Sequence, residues 1–255
     1  MVRTGFPRAV SHLRSDTIKN KKGFNVEIQL LLQKDHTLTP LSFTVDKMVN
    51  AGFTGRDQAE VRHHLDELSA KGIDVPETTP TLYPVIPSTL TTGTSIDVYG
   101  EETSGEIEYV LFVKNDKEIY VGIGSDHTDR KLEELDIPRA KQITPNLISP
   151  VVWELNDVTE HWDDLSMECS VKKDADTLLY QKGNLGLLMS PSELMEFVSQ
   201  KIKGPINNTA IFSGTVKMET EDFIFADTFS GLLTDPTLNR SIGFSYTINP
   251  MSYME

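Results

Sequence analysis

The sequence predicts a β-rich α+β domain. Three observations carry that expectation: strand-like runs recur along most of the chain, only a few stretches have a helical period, and the two kinds do not alternate regularly. No unit of about 20–50 residues repeats, which excludes solenoid and propeller architectures.

Taken in order, the first 22 residues are basic and lack the continuous apolar stretch of a secretory signal. They read as a flexible arm, with a transit peptide as the alternative. Residues 23–255 read as one domain, in which residues 23–80 supply strands and a helix and residues 81–255 the main β structure. "FNVEIQLLL" alternates and "PLSFTVDKMVNAGF" adds a strand-like segment, so residues 24–53 predict a hairpin or a pair of strands. "GRDQAEVRHHLDELSAKGIDVP" predicts a helix, with Ala59, Val61, His64, Leu65 and Leu68 near one side, Gly72 as a stop and Pro76 beyond it. "PTLYPVIPSTL" is extended and leads to strands in "SIDVYG", "GEIEYVLFVKN" and "EIYVGIGSD". "DHTDRKLEELDI" predicts a turn that becomes a short helix, and "VVWELNDVTEHWDDLSMECSVKKD" a strand, a turn and a strand. In "SPSELMEFVSQKI" a serine cap with a glutamate three positions later starts a helix. "TAIFSGTV", "EDFIFADTFSGLLTD" and "RSIGFSYTI" return to strands.

Composition narrows the partners. The 255 residues carry 24 Lys and Arg against 38 Asp and Glu, a net charge of −14 that repels nucleic acid and anionic membrane alike. The single cysteine, Cys169, forms no intramolecular disulfide and builds no cysteine-based metal set, which fits a reducing cytoplasm. No segment reaches the roughly 20 apolar residues that span a bilayer.

The chemistry gathers around two strands. In "SGEIEYVLFV", Glu106 and Glu108 are two apart and project to one face of a strand that runs into an apolar core. A solvated face is the alternative, but buried carboxylates need a cation or hydrogen bonds to offset their repulsion and desolvation. Asp126 closes the next apolar strand, where a hairpin-like return sets it beside the glutamates. Three oxygen ligands suit Mg²⁺ or Mn²⁺.

The order "GEIEYVLFV", "YVGIGSDHTDR", a lysine in "RAKQITPNLISP" and "FSGTV" resembles the fumarylacetoacetate hydrolase superfamily over roughly residues 50–247. "GSDHTDRK" also resembles the uncharacterised bacterial family called domain of unknown function 2848. The resemblance implies a mixed β-roll of the fumarylacetoacetase C-terminal type, commonly a homodimer, with metal ligands at Glu106, Glu108 and Asp126 and a catalytic Lys141. It further implies substrate contacts from Arg130, Gly214 and Thr215, with Gln181 and His127 as additional candidates, and a His-x-x-Glu dyad supplied by His64 and Glu67 on a lid helix. His63 lacks the matching spacing. The sequence departs from the superfamily at Gly52–Thr54, where Asn-Tyr is absent, at Val85 in place of a lysine, at Ser125 in place of asparagine and at Val216 in place of proline. These changes point to an altered substrate.

The activity implied is metal-dependent C–C hydrolysis of a 2-oxo acid or 1,3-dicarbonyl, acylpyruvate-like, through a stabilised enolate. A decarboxylase, hydratase or tautomerase on the same scaffold, or a non-catalytic metal-dependent binding protein, remains the alternative. Either way the partner is a small molecule.

Overall fold

The computed structural model describes residues 25–35, 37–70 and 75–253. The basic arm and the Gly72 helix stop lie outside the described residues. The larger of two mixed sheets runs, neighbour by neighbour, Thr37–Val45, Val26–Lys34, Val151–Glu154, Ile119–Ser125, Ile107–Val113, Thr209–Phe212, Lys47–Gly52 and Thr81–Val85. Asn146–Ile148 pairs with the end of Ile119–Ser125 and, on its other side, with Leu90–Thr91. The smaller sheet runs Asp176–Asn184, Ser166–Lys173, Thr228–Asp235, Arg240–Pro250 and Ser95–Val98. This is the β-rich α+β architecture that recurrent strand-like runs and few helical stretches predict.

Ile107–Val113 is the centre of the molecule, and every residue in it is buried. Successive side chains point to opposite faces. Ile107, Tyr109, Leu111 and Val113 join the core shared with the smaller sheet, alongside Met167, Val171, Phe229 and Leu233. Val110 and Phe112 join a second core on the other face, with Ile28, Leu30, Phe43 and Phe212. A strand covered on both sides has no polar face to present, which is why "IEYVLFV" reads as an almost continuous apolar run. The neighbouring Gly124 is also dictated by packing, since a Cβ there would lie 2.5 Å from the Leu147 carbonyl oxygen.

Two expectations need correction. Residues 24–53 hold three strands: Val26–Lys34 and Thr37–Val45 form the hairpin, and Lys47–Gly52 departs to pair in parallel with Thr209–Phe212. Asn208 enforces the departure, because its carbonyl accepts the Asp46 N–H at 2.8 Å and its side chain donates to Asp46 Oδ2 at 3.0 Å. "EDFIFADTFSGLLTD" becomes a strand only from Thr228. Its first half is irregular, and Phe223 covers Arg130 with the ring centroid 4.2 Å from the guanidinium. Between Val151–Glu154 and Ser166–Lys173 the chain forms 3₁₀ turns, burying Leu155 and Trp162.

The first helix spans Gln58–Ala70. Asp57 caps it by accepting the Ala59 and Glu60 N–H groups, each at 3.0 Å. On its expected apolar side Leu65 is buried, Val61 is half-buried and Ala59 is exposed. The Pro191–Lys201 helix has the predicted capping box between Ser190 and Glu193. Among the described residues, no helix is long and apolar enough to cross a membrane.

Candidate metal centre

Glu106 and Glu108 flank Ile107 at the start of the central strand, and the period of two sends both to the same face. Across the ladder, Glu106 and Asp126 exchange both backbone hydrogen bonds, at 3.1 and 3.0 Å. Directly opposed residues of an antiparallel pair share a face, so the hairpin delivers the third carboxylate. One oxygen from each of Glu106, Glu108 and Asp126 lies within 4.8 Å of the others. Glu108 and Asp126 are buried, and Glu106 is partly open.

Two cations border this trio. Arg130 begins the Arg130–Glu133 helical turn, capped by Asp129, which accepts the Leu132 N–H at 2.8 Å. Its Nη2 lies 3.5 Å from Glu106 Oε1. Lys141 sits in the Ile137–Ile143 helix and donates to Asp126 Oδ2 in a short hydrogen bond. That helix is pinned by Gln142, whose Nε2 donates to Pro84 O at 2.8 Å and whose Oε1 accepts the Ile86 N–H at 3.0 Å.

Electrostatics single out the glutamates. Burial pushes the Glu106 carboxyl above its ordinary value, although Arg130 and Lys141 pull it back. Burial, then Asp126 and Glu106, push Glu108 well above it. For the cations burial works the other way and loses: Glu106 and Glu133 make Arg130 hold its proton more tightly, as Asp126 and Glu106 do for Lys141. Three hard oxygen donors converging where their own charge is poorly compensated fit a divalent cation such as Mg²⁺ or Mn²⁺.

The other candidate residues fall into distinct places. Gly214 donates its N–H to Glu108 Oε2 at 2.9 Å and has φ +84°, and a Cβ there would collide with Thr54 Oγ1. Gln181 and Thr215 stand one layer back. Gln181 Oε1 accepts the Ile107 N–H at 3.0 Å, Thr215 Oγ1 donates to Ile107 O at 2.8 Å, and Gln181 Nε2 joins them by donating to Thr215 Oγ1 at 2.7 Å. Where the partner strand Thr209–Phe212 ends, these side chains satisfy the backbone between the two glutamates. Their polar atoms serve the strand.

His127 points away from Asp126, as adjacent residues of a strand do. It is buried, with Nδ1 2.9 Å from Tyr246 Oη and Nε2 3.0 Å from Thr103 Oγ1. Burial, aided by Arg130, pulls its pKa down to about 3. The imidazole is a neutral structural link. Glu67 lies on the Gln58–Ala70 helix with its side chain 58% exposed and Oε1 3.7 Å from His63 Nδ1. The His64 side chain lies outside the described residues.

Two groups escaped the sequence reading. Asn50 and Asn146 are fully buried, with Asn146 Nδ2 donating to Asn50 Oδ1 at 3.2 Å and Asn50 Nδ2 and Asn146 Oδ1 without a partner among the described residues. Asn146 stands one residue beyond the Leu147–Ser125 pair, hence beside Asp126. The signal was an asparagine inside an apolar strand run, "MVNAG" and "PNLIS". The second is Glu133, three positions after Arg130 and bonded to it, a spacing that one helical turn makes adjacent.

A family model described as "Protein of unknown function (DUF2848)" matches residues 51–246. The chain belongs to this family. Against curated proteins, this DUF2848 chain has no significant match. Solved structures show what fold it shares. A 2-keto-3-deoxy-D-arabinonate dehydratase complexed with magnesium and 2,5-dioxopentanoate superposes with a TM-score of 0.60 at 13% identity, over 80% of this chain and 73% of that one. A yeast fumarylacetoacetate hydrolase family protein gives 0.55 at 16% identity, over 81% and 94%. A candidate fumarylpyruvate hydrolase from Burkholderia cenocepacia gives 0.58 at 14% identity, over 96% and 99%. The DUF2848 chain therefore has the fumarylacetoacetate hydrolase fold, as its motifs predict.

Proposed function

We propose that the chain is a divalent-metal-dependent hydrolase that cleaves a C–C bond in an acylpyruvate-like 2-oxo acid or 1,3-dicarbonyl. The observation that carries this reading is the convergence of Glu106, Glu108 and Asp126 at the edge of the core, bordered by Lys141 and Arg130. A structure of like fold that holds magnesium and 2,5-dioxopentanoate, itself a 2-oxo acid, supports the substrate class.

Glu106, Glu108 and Asp126 would hold Mg²⁺ or Mn²⁺, which when bound would supply positive charge to stabilise a developing enolate. Lys141, fixed by Asp126, adds a second positive charge beside it. Arg130 orients Glu106. His64, as the base of the His64/Glu67 dyad, takes a proton from water as the water oxygen adds to the distal carbonyl carbon. The bond from that carbon to the methylene then breaks, its electron pair passes to the enolate, and protonation yields pyruvate and a carboxylic acid. In this reading the Gln58–Ala70 helix serves as the lid that carries the dyad to the carboxylates. Decarboxylation or tautomerisation uses the same carboxylates without the dyad. A cytoplasmic homodimer completes the proposal.

The test is product analysis with and without Mg²⁺. Acylpyruvates are expected to release pyruvate and a carboxylic acid, and His64→Ala to abolish that release with metal binding intact. Carbon dioxide from oxaloacetate alone would instead mark a lyase, and turnover of no 2-oxo acid would leave a binding protein.

A further inference from the structure

Glu133 occupies both cations of the centre. Its Oε2 accepts from Arg130 Nη1 at 2.7 Å, and its Oε1 lies 4.0 Å from Lys141 Nζ. Arg130 has little left to offer. Its Nε donates to Ser104 Oγ at 2.7 Å, its Nη2 reaches Ser104 O and Glu106 Oε1 at 3.5 Å each, and Phe223 covers one face of the guanidinium. Lys141 is already engaged with Asp126. Neither cation stands free for a second carboxylate of a substrate.

The charge count agrees. Glu106, Glu108, Asp126 and Glu133 against Arg130 and Lys141 leave an excess of two negative charges when all are ionised, which one divalent ion balances. From Arg130 and Glu133 a cavity of about 320 Å³ opens outward, lined also by Glu102, Lys131, Glu134, Phe223 and Phe225. Its two cations are already paired, Arg130 with Glu133 at 2.7 Å and Lys131 with Glu102 at 3.5 Å, so with Glu134 the lining keeps a net negative charge that repels a distal carboxylate, and its two rings offer apolar surface.

We propose that Glu133 determines specificity: by satisfying Arg130 and Lys141 internally, it selects a 2-oxo acid that has one carboxylate, at the metal end, and an uncharged apolar distal group directed toward Phe223 and Phe225. This inference rests on the proposed 2-oxo acid site and narrows its substrate class. A discriminating site rejects a competitor by placing an unfavourable charge where that competitor differs.

The test is equilibrium binding in Mg²⁺ of three probes to the whole chain: oxalate, which reports chelation alone, and the five-carbon pair 2-oxopentanoate and 2-oxoglutarate, which differ in the distal carboxylate. The wild-type protein should bind 2-oxopentanoate about tenfold or more tighter than 2-oxoglutarate. Glu133→Gln should bring the two to within about threefold of each other, with oxalate binding still dependent on Mg²⁺. A wild-type preference for 2-oxoglutarate overturns the proposal without any variant, as does an unchanged ratio in a folded Glu133→Gln protein that still binds oxalate. Loss of the whole premise would look different: oxalate would fail to bind wild-type protein in Mg²⁺, and the 2-oxo acid reading would fall together with the inference.

Discussion

Glu108 and Asp235 are both shut away from solvent, yet their surroundings are opposite. Asp235 ends a strand of the smaller sheet and collects three partners at 3.0 Å each, the Leu238 N–H, Arg240 Nε and His161 Nε2. Burial alone would raise its pKa, but the donors outweigh it and the net shift is downward. Glu108 receives one backbone N–H, from Gly214, and faces Asp126 and Glu106. Its pKa moves up. Burial of a carboxylate is thus no sign of function by itself. What separates a strut from a ligand is whether the chain supplies enough donors, and around Glu108 it does not.

Conversion of each acid to its amide breaks the comparison in opposite directions. Glu108→Gln should cost the largest effect, about 100-fold or more in metal-dependent activity and metal affinity. The same change should stabilise the metal-stripped protein at neutral pH, because the amide still accepts the Gly214 N–H without a buried charge. The sign follows from the raised pKa: the folded protein holds the Glu108 proton more tightly than the unfolded chain, so stability falls as pH rises above the ordinary value of 4.5. Urea unfolding in chelator across pH checks it.

Asp235→Asn should instead destabilise by about 3 kcal/mol, the cost of taking from a buried cation, here Arg240, the nearer of its two carboxylates and leaving only Asp157 at 3.9 Å. Activity of the folded fraction should persist. Here the folded pKa lies below the ordinary 3.8, so the stabilisation is complete above 3.8 and disappears as pH falls through the lower folded value. The acid limb of the wild-type stability curve should therefore be steeper than that of Asp235→Asn. If both curves fall in parallel, Asp235 is not the strut described.

Mg²⁺ should sharpen the contrast by about 2.7 kcal/mol of added stability at 100 times its dissociation constant. Thermal melting should show this gain in wild type and Asp235→Asn and not in Glu108→Gln. The smallest effect is expected far from both acids. Ser190→Ala removes the capping hydroxyl of the Pro191–Lys201 helix and should cost about 1 kcal/mol with no change in metal response.

The parts of the centre legible in the sequence are those set by strand period and hairpin return. Glu106 and Glu108 share a face because they are two apart, and Asp126 meets Glu106 because the strands Ile107–Val113 and Ile119–Ser125 are joined by a short turn. Gln181 was legible only as a resemblance, since its bond to the Ile107 N–H joins positions 74 apart and no local pattern encodes it. The same holds for the Asn50–Asn146 pair, 96 apart. Lys47–Gly52 reads as a continuation of the preceding strand because Asp46 alone lies between them, and the Asp46–Asn208 contact marks where the chain departs. "EDFIFAD" has strand composition, yet its phenylalanines cover Arg130 and the adjoining cavity. Composition records that a side chain seeks cover, and tertiary contacts decide which.

The central claim is that Glu106, Glu108 and Asp126 hold a divalent ion that chelates a 2-oxo acid. Calorimetric titration of oxalate, which mimics the pyruvate enolate, into metal-stripped protein with and without Mg²⁺ tests it most directly, with Asp126→Asn as the control. The account predicts binding that requires both Mg²⁺ and Asp126. Binding of equal strength without Mg²⁺ or in Asp126→Asn, or none in any arm, would contradict it.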